Sequence, residues 1–217
     1  MRVLETKREM QAWSDAERRA GRRVALVPTM GALHRGHTTL VDIARRHAER
    51  VVVSIFVNPT QFNDRRDFEG YPRTLDTDLA ACRAAGVDVV FAPTAGEMYP
   101  EGAASWVDVE GLTAPLCGAA RPGHFRGVTT VVTKLFLATR PDVAVFGEKD
   151  WQQLAVIRRM TTDLGFGIEI VGGETVRESD GLALSSRNVR LGPQARKQAL
   201  CIVESLERAD RMVAAGE

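Results

Sequence analysis

The feature that most constrains the fold of this chain is an alternation. Short apolar runs recur along it, each parted from the next by a segment with helical spacing. The runs are Val24 to Val27, Val51 to Val57, Val87 to Phe91, Val143 to Phe146 and Ile168 to Val171. Between them, residues 36 to about 49 place Leu40, Ile43, Ala44 and His47 on one helical face, and about 74–85 reads as a helix ended by Gly86. Further helices are expected over about 125–139 and 151–164. Strands that are apolar throughout need cover on both faces, and helices on both sides of a parallel sheet supply it. The expected fold class is therefore α/β, a Rossmann-like, doubly wound parallel sheet.

Ahead of this pattern, Thr6 and Glu9 form a capping-box signature for a helix to about Ala20. Trp106 to Val109 reads as one more short strand. The alternation stops at Val176. Residues 177–188 read as a loop turning at Asp180-Gly181, and Gly192-Pro193 opens a single last helix. Leu200, Val203, Leu206 and Val213 give that helix an apolar face, which predicts packing against something. We therefore expect a Rossmann-like domain over 1–175 and a partial, truncated C-terminal appendage over 176–217, too short to bury a core of its own.

Composition excludes several classes. The 29 basic and 28 acidic residues leave a net charge of +1, which gives no global electrostatic case for binding nucleic acid or an anionic membrane. Cys82, Cys117 and Cys201 are far apart and unpatterned, which suits reduced thiols. The opening MRVLETKREM has no signal-peptide core, and no apolar run nears the roughly 20 residues of a membrane span. The expectation is a cytoplasmic protein. GxxxxGK[ST], GxGxxG and GxSxG are all missing, so kinase, dehydrogenase and hydrolase readings lose their usual support.

Chemistry concentrates after the strands. Pro28 to His37 follows the first apolar run and opens a helix, and in a doubly wound sheet ligands bind at the carboxyl ends of strands. A helix N-terminus there offers free N–H groups to phosphate, Gly36 lets backbone approach, and His34 and His37 lie on one turn. This matches the HxGH signature of nucleotidyl-transfer enzymes. The bland alternative is a loop with two surface histidines; a zinc site is a poorer one, since no glutamate follows His34 and no cysteine is near. Leu184 to Asn188 supplies Ser185, Ser186 and Arg187, two hydroxyls and a guanidinium suited to a triphosphate, or else a solvated loop. Gly147 to Gln153 follows another strand: Lys149 suits phosphate and Asp150 a ribose, although acids also favour a first helical turn for its dipole. Asn58 to Phe62 closes the second strand, with Gln61 able both to donate and to accept, or it is an ordinary turn. Arg121 to Gly127 is a basic, glycine-bearing loop with the same ambiguity.

Taken in order, VPTMGALHRGH, FVNPTQF, YPRT, RPGHFRGV, FGEKDWQQL and DGLALSSRN resemble the pantothenate synthetase (pantoate–beta-alanine ligase) family from about Val24 to Asn188. The resemblance implies that ATP and pantoate form pantoyl adenylate and pyrophosphate, and that β-alanine then displaces AMP to give pantothenate for coenzyme A synthesis. It also implies Mg²⁺ and a homodimer. His34, His37, Lys149, Ser185, Ser186 and Arg187 would surround the ATP phosphates. Met30, Gly36, Gly147, Asp150 and Val176 would line the nucleotide site, and Gln61 and Gln153 would hold pantoate with Asn58, Tyr71 and Arg121 nearby. Asp76 and Asp78, just after YPRT, are the candidate metal ligands. Members of the family continue into a fuller C-terminal domain than the one that ends here at Glu217. Two rivals stand beside this reading. One is another HxGH nucleotidyltransferase, against which Gln61 and Gln153 count where a phosphorylated acceptor would need a basic pocket. The other is a truncated nucleotide-binding module without turnover.

Overall fold

The computed structural model describes residues 1–216. In chain order its elements are β1 (Arg2–Leu4), α1 (Lys7–Arg19), β2 (Val24–Thr29), α2 (Arg35–His47), β3 (Arg50–Ile55), α3 (Arg65–Glu69), α4 (Leu75–Ala84) and β4 (Val89–Phe91). They continue with α5 (Ala95–Met98), α6 (Cys117–Ala120), α7 (His124–Thr139), β5 (Val143–Gly147), α8 (Trp151–Asp163), β6 (Glu169–Gly173), α9 (Pro193–Ala199) and α10 (Cys201–Ala215). The strands form one six-stranded sheet in the order β1-β4-β3-β2-β5-β6, parallel at every pairing. The Rossmann-like class expected from the alternation is the one found.

The period of two explains the layers. Val24 and Leu26 of β2, Val52 of β3, Val89 and Phe91 of β4, and Ala144 and Phe146 of β5 face one side, against Met10 of α1, Phe136 of α7 and Ile157 of α8. Their neighbours Ala25, Val27, Val51, Val53, Val90, Val143 and Val145 face the other side, against Leu40, Val41 and Ala44 of α2 and Cys82 of α4. Both faces are covered, so the central strands carry almost no polar side chain. The Thr6–Glu9 capping box starts α1 as expected: Glu9 N–H donates to Thr6 Oγ1 at 3.2 Å, and the Glu9 carboxylate accepts from Thr6 N at 3.2 Å.

Two sequence expectations are corrected, and one strand is added to those expected. Trp106 to Val109 is not a strand, because hydroxyls of α7 take its backbone groups: Val107 N–H donates to Thr130 Oγ1 at 3.0 Å, and Val107 O accepts from Thr129 Oγ1. The edge strand β1 has no sequence signature because it has only three residues and two are exposed. The last helix is two, α9 and α10, parted at Leu200, and its apolar face is mostly uncovered. Val203 is buried, while Ile202, Leu206 and Val213 stay exposed.

Order 4-3-2-5-6 runs one way from β2 and the other way after β5, so the topological switch lies between β2 and β5. Their carboxyl ends open the crevice in which a doubly wound sheet binds ligands. Phe136, on the inner side of α7, packs edge-on to Phe166 at 5.5 Å and to Phe146 at 6.5 Å, and is almost fully buried. Phe136→Ala should lower stability by about 3–5 kcal/mol in urea unfolding, the scale for an aromatic cavity in a core. A loss under about 1 kcal/mol would mean that this layer is loosely packed.

Candidate active site

The turn that joins β2 to α2 is held from below. Gly31 and Ala32 both adopt left-handed backbone, with φ of 83° and 50°, so the N–H groups of Ala32 and Leu33 point to one side. The buried carboxylate of Asp78 in α4 accepts them at 3.0 and 2.7 Å, and Thr74 Oγ1 lies 3.3 Å from it. A Cβ on Gly31 would sit 2.9 Å from Asp78 Oδ2, so glycine is needed there for space as well as for φ. Of the two candidate metal ligands, Asp78 accepts from these backbone donors, Asp76 is exposed, and neither lines the cleft. Among the described residues no group of three or more His, Cys, Asp and Glu side chains is placed to hold a metal ion.

The anchored turn delivers His34 as the N-cap of α2. Its Nδ1 accepts from Gly36 N–H at 3.2 Å, and its own N–H donates to His37 Nδ1 at 3.2 Å. Two accepting Nδ1 atoms require both imidazoles to be neutral with the proton on Nε2. The pair therefore presents two Nε2–H donors, with ring centroids 4.1 Å apart. Burial lowers the His34 pKa, helped by Lys149. Burial, with His34 and Lys149 adding to it, pushes His37 down to about 3. These are uncharged donors at a helix N-terminus, not cations.

The cleft above them gathers the sequence-predicted residues. Met30, His34, Gly36 and His37 line it from β2 and α2, and Asn58, Gln61 and Tyr71 from the segment after β3. Gly147, Lys149, Asp150 and Gln153 line it from the end of β5, with Val176, Ser185, Ser186 and Arg187 from the C-terminal loop. Lys149 Nζ lies 3.9 Å from Asp150 Oδ2, a loose pair with both groups partly in solvent. Ser186 Oγ lies 3.3 Å from Tyr71 OH, and Ser185 Oγ accepts from Arg187 N–H at 3.2 Å.

One residue expected in the pocket acts from behind it. Arg121 does not line the cleft; its Nη2 donates to the Gln61 carbonyl at 3.2 Å, and His124 Nδ1 donates to the same oxygen at 2.8 Å. His124 lies within RPGHFRG but has no assignment from sequence, because nothing there links it to Gln61. Asn58 is buried and fully engaged: its Nδ2 donates to Gln61 Oε1 at 2.9 Å and to Gly127 O at 3.1 Å, and its Oδ1 accepts from Tyr99 OH at 2.9 Å. Gln61 Nε2 lies 3.3 Å from Met30 Sδ. A Cβ on Gly127 would fall 2.4 Å from Thr60 O, so only glycine lets α7 approach this turn. Sequence reasoning also missed an apolar wall from α7, formed by Val128, Val131, Val132 and Leu135 with Phe56 and Phe146. Its signal was present in the helical spacing of Val128, Val131, Val132 and Leu135 along α7, which reads equally well as core.

The anchor and the imidazole pair can each be tested through stability. Asp78→Ala should strand the Ala32 and Leu33 N–H groups and cost about 2–4 kcal/mol in thermal or urea unfolding, the scale for two donors losing a charged acceptor. A change below about 0.5 kcal/mol, the size of an ordinary surface substitution, would refute the anchor. For His37, the unfolded side chain takes up a proton below its ordinary 6.5, whereas the folded one does so only near 3. The stability it contributes is complete above pH 6.5 and is lost as pH falls towards 3. The drop between about pH 7 and 4.5 should be shallower by roughly 1–3 kcal/mol in His37→Gln than in wild type, and equal slopes would contradict the neutral imidazole.

A family model described as pantoate-beta-alanine ligase matches residues 2–217. A pantothenate synthetase of Heliobacterium modesticaldum is 59% identical over the whole chain, which spans 77% of that protein, and one of Geobacter sulfurreducens is 57% identical with the same coverage. Among solved structures, the pantothenate synthetase of Thermus thermophilus is 54% identical with a TM-score of 0.94, covering 100% of this chain and 77% of that one. The pantoate-beta-alanine ligase of Francisella tularensis, solved with β,γ-ATP and β-alanine, is 36% identical with a TM-score of 0.89 over 95% of this chain and 79% of that one. With its fold, its cleft and its full-length match agreeing, the chain belongs to the pantoate–beta-alanine ligase family.

Proposed function

We infer that the chain joins pantoate to β-alanine with ATP, releasing AMP and pyrophosphate through a pantoyl-adenylate intermediate. The observation that supports this best is the meeting, in one cleft at the switch point, of two neutral imidazole donors, Lys149 and the Ser185–Arg187 loop with the amide side chains of Gln61 and Gln153. The first group suits phosphate oxygens and the second a hydroxylated acid. The apolar wall from α7 suits the geminal methyl groups of pantoate.

In the first step a pantoate carboxylate oxygen attacks the α-phosphorus of ATP. An acyl–O–P bond forms, the bond from the α-phosphorus to the bridging oxygen breaks, and pyrophosphate leaves. Charge grows on the α-phosphate oxygens and the departing group, where the Nε2–H donors of His34 and His37, the Lys149 ammonium and the Arg187 guanidinium stabilise it. Met30, Gly36, Gly147, Asp150 and Val176 hold the nucleoside. In the second step the unprotonated amine of β-alanine attacks the acyl carbon, the acyl C–O bond to the phosphate breaks, AMP departs and the nitrogen loses a proton to solvent. Neither step needs a protein nucleophile, so catalysis rests on placement and on fixed donors.

Mg²⁺ enters this proposal with ATP, as a counter-ion on its phosphates. That suits a cation that keeps several waters and takes few protein ligands, and it fits a cleft without an acidic cage among the described residues. A homodimer in the cytoplasm, and a partial C-terminal domain over 176–217, belong to the same proposal. No helix of the described residues is long and apolar enough to cross a membrane. Membership of the family removes the other HxGH nucleotidyltransferases from contention.

The test is pyrophosphate release from Mg-ATP with pantoate, with and without β-alanine, followed by mass spectrometry for pantothenate. Pantoate-dependent pyrophosphate and β-alanine-dependent pantothenate are expected. ATP binding without release would favour a binding module instead. His37→Ala should slow adenylation by about 10²–10³, the scale for one preorganised donor. A variant within about threefold of wild type would remove His37 from that role.

A further inference from the structure

The loop that carries Ser185, Ser186 and Arg187 meets the opposite lip of the cleft at one carboxylate. That lip is α3 and the residues just after it. Arg187 donates from Nε to Asp67 Oδ1 at 3.3 Å and from Nη2 to Oδ2 at 2.8 Å. Arg190 donates from Nη1 to the same Oδ1 at 2.8 Å, and from Nη2 to Gly70 O at 2.9 Å. The Arg187 guanidinium also stands over the Tyr71 ring, 5.3 Å from its centroid. On its other side the loop is tied to its own segment, by Leu184 N–H donating to Val176 O and by Asn188 Nδ2 donating to Glu178 Oε1 and to Ala183 O.

We propose that Asp67 is a positioning residue for Arg187, holding its guanidinium over the cleft and latching the 184–190 loop across a bound nucleoside triphosphate. The proposal rests on the ATP reading above. Three observations carry it. First, Asp67 grips Arg187 by its Nε–Nη2 edge, the bidentate geometry that fixes a guanidinium plane. Among the described residues no other acceptor takes an Arg187 side-chain N–H, so Nη1 and the second Nη2 proton are free in a cleft that Arg187 lines. Second, a carboxylate beside a phosphate site would repel its ligand. Two guanidiniums against one carboxylate leave the cluster net positive, which gives Arg190 a purpose in a site it does not line. Third, Asp67 is the most enclosed member of the three, at 25% side-chain exposure against 40% and 42% for the arginines. The Arg187 guanidinium beside it holds its carboxyl below the usual aspartate range, which keeps it ionised at neutral pH. The lip therefore supplies the enclosed acceptor and the loop supplies the more exposed donors.

The test uses the full chain as wild type, Asp67→Asn, Asp67→Glu, Arg187→Ala and the double variant Asp67→Asn/Arg187→Ala. Calorimetry measures Mg-ATP affinity, and hydrogen exchange follows residues 184–190 against the core strands β2 and β5. Asp67→Asn should weaken ATP binding about 2- to 5-fold, the range for a partly exposed ion pair, and should speed exchange of 184–190 with the core strands unchanged. Asp67→Glu should recover part of the affinity. In the Arg187→Ala background Asp67→Asn should cost nothing further, because a residue acting through Arg187 has nothing left to position. Wild-type ATP affinity in Asp67→Asn, or the same added loss without Arg187, would overturn the proposal while leaving the ATP reading intact. A wild-type chain that binds no ATP would overturn both.

Discussion

The site depends on one buried pair of hydrogen bonds, the Asp78 carboxylate accepting from the N–H groups of Ala32 and Leu33. Two consecutive left-handed residues are costly, all the more so when the second is alanine, and such a turn persists only where its surroundings over-determine it. Asp78 does so from α4, on the face of the sheet that α2 also covers. Everything downstream inherits that placement. His34 becomes the cap of α2, Gly36 N–H is spent on His34 rather than on solvent, and His37 closes the box by accepting from the His34 backbone. Catalytic geometry and fold stability thus share one carboxylate.

Capping with imidazoles in place of the usual hydroxyl or carboxylate has an electrostatic consequence. Asp or Ser would cap α2 as well or better, but a carboxylate there would repel phosphate and a hydroxyl would offer a single rotating donor. Imidazoles that accept at Nδ1 satisfy the helix and still present a rigid donor at Nε2. Their neutrality matters too. A cation at each position would hold substrate and product phosphates alike, whereas fixed dipoles respond to charge that grows during the reaction. The mobile charge of the site is left to Lys149 and Arg187, both partly in solvent.

Much of this was legible in the sequence because it is local. Strand and helix periods follow from residues that are near neighbours, and so does the capping box at Thr6 and Glu9. Motifs at strand ends could be assigned to the cleft because a parallel sheet sends all its carboxyl ends to one edge. What was not legible is non-local. Asp78 looked like a free acid because nothing near it in sequence reveals that it meets Ala32, 46 residues earlier. Arg121 and His124 looked like pocket residues or loop, and act instead through the Gln61 carbonyl about 60 residues away. Trp106 to Val109 had a strand's composition, but hydroxyls on α7 claimed its backbone first. The apolar stripe of the last helix was real, yet a stripe states a need for cover without saying what supplies it.

The two halves of the cleft differ in rigidity, and the difference matches the chemistry assigned to them. Around Asn58 and Gln61 the contacts interlock: Asn58 spends both ends of its amide, Gln61 is held at side chain and carbonyl, and a Cβ on Gly127 would clash with Thr60 O. A small acid that must present one carboxylate oxygen in line with phosphorus needs such a seat, since the benefit of proximity vanishes with a misplacement of about an ångström. On the phosphate side the contacts are ion pairs between partly exposed side chains, weak singly and exchangeable. Triphosphate, adenylate with pyrophosphate, and AMP must occupy that half in turn, each with a different charge distribution. A rigid cage would favour one of them and trap it. Under the proposed function, Lys149 after β5 and Arg187 on the C-terminal loop would follow the charge as it moves, while the acid would stay at Gln61.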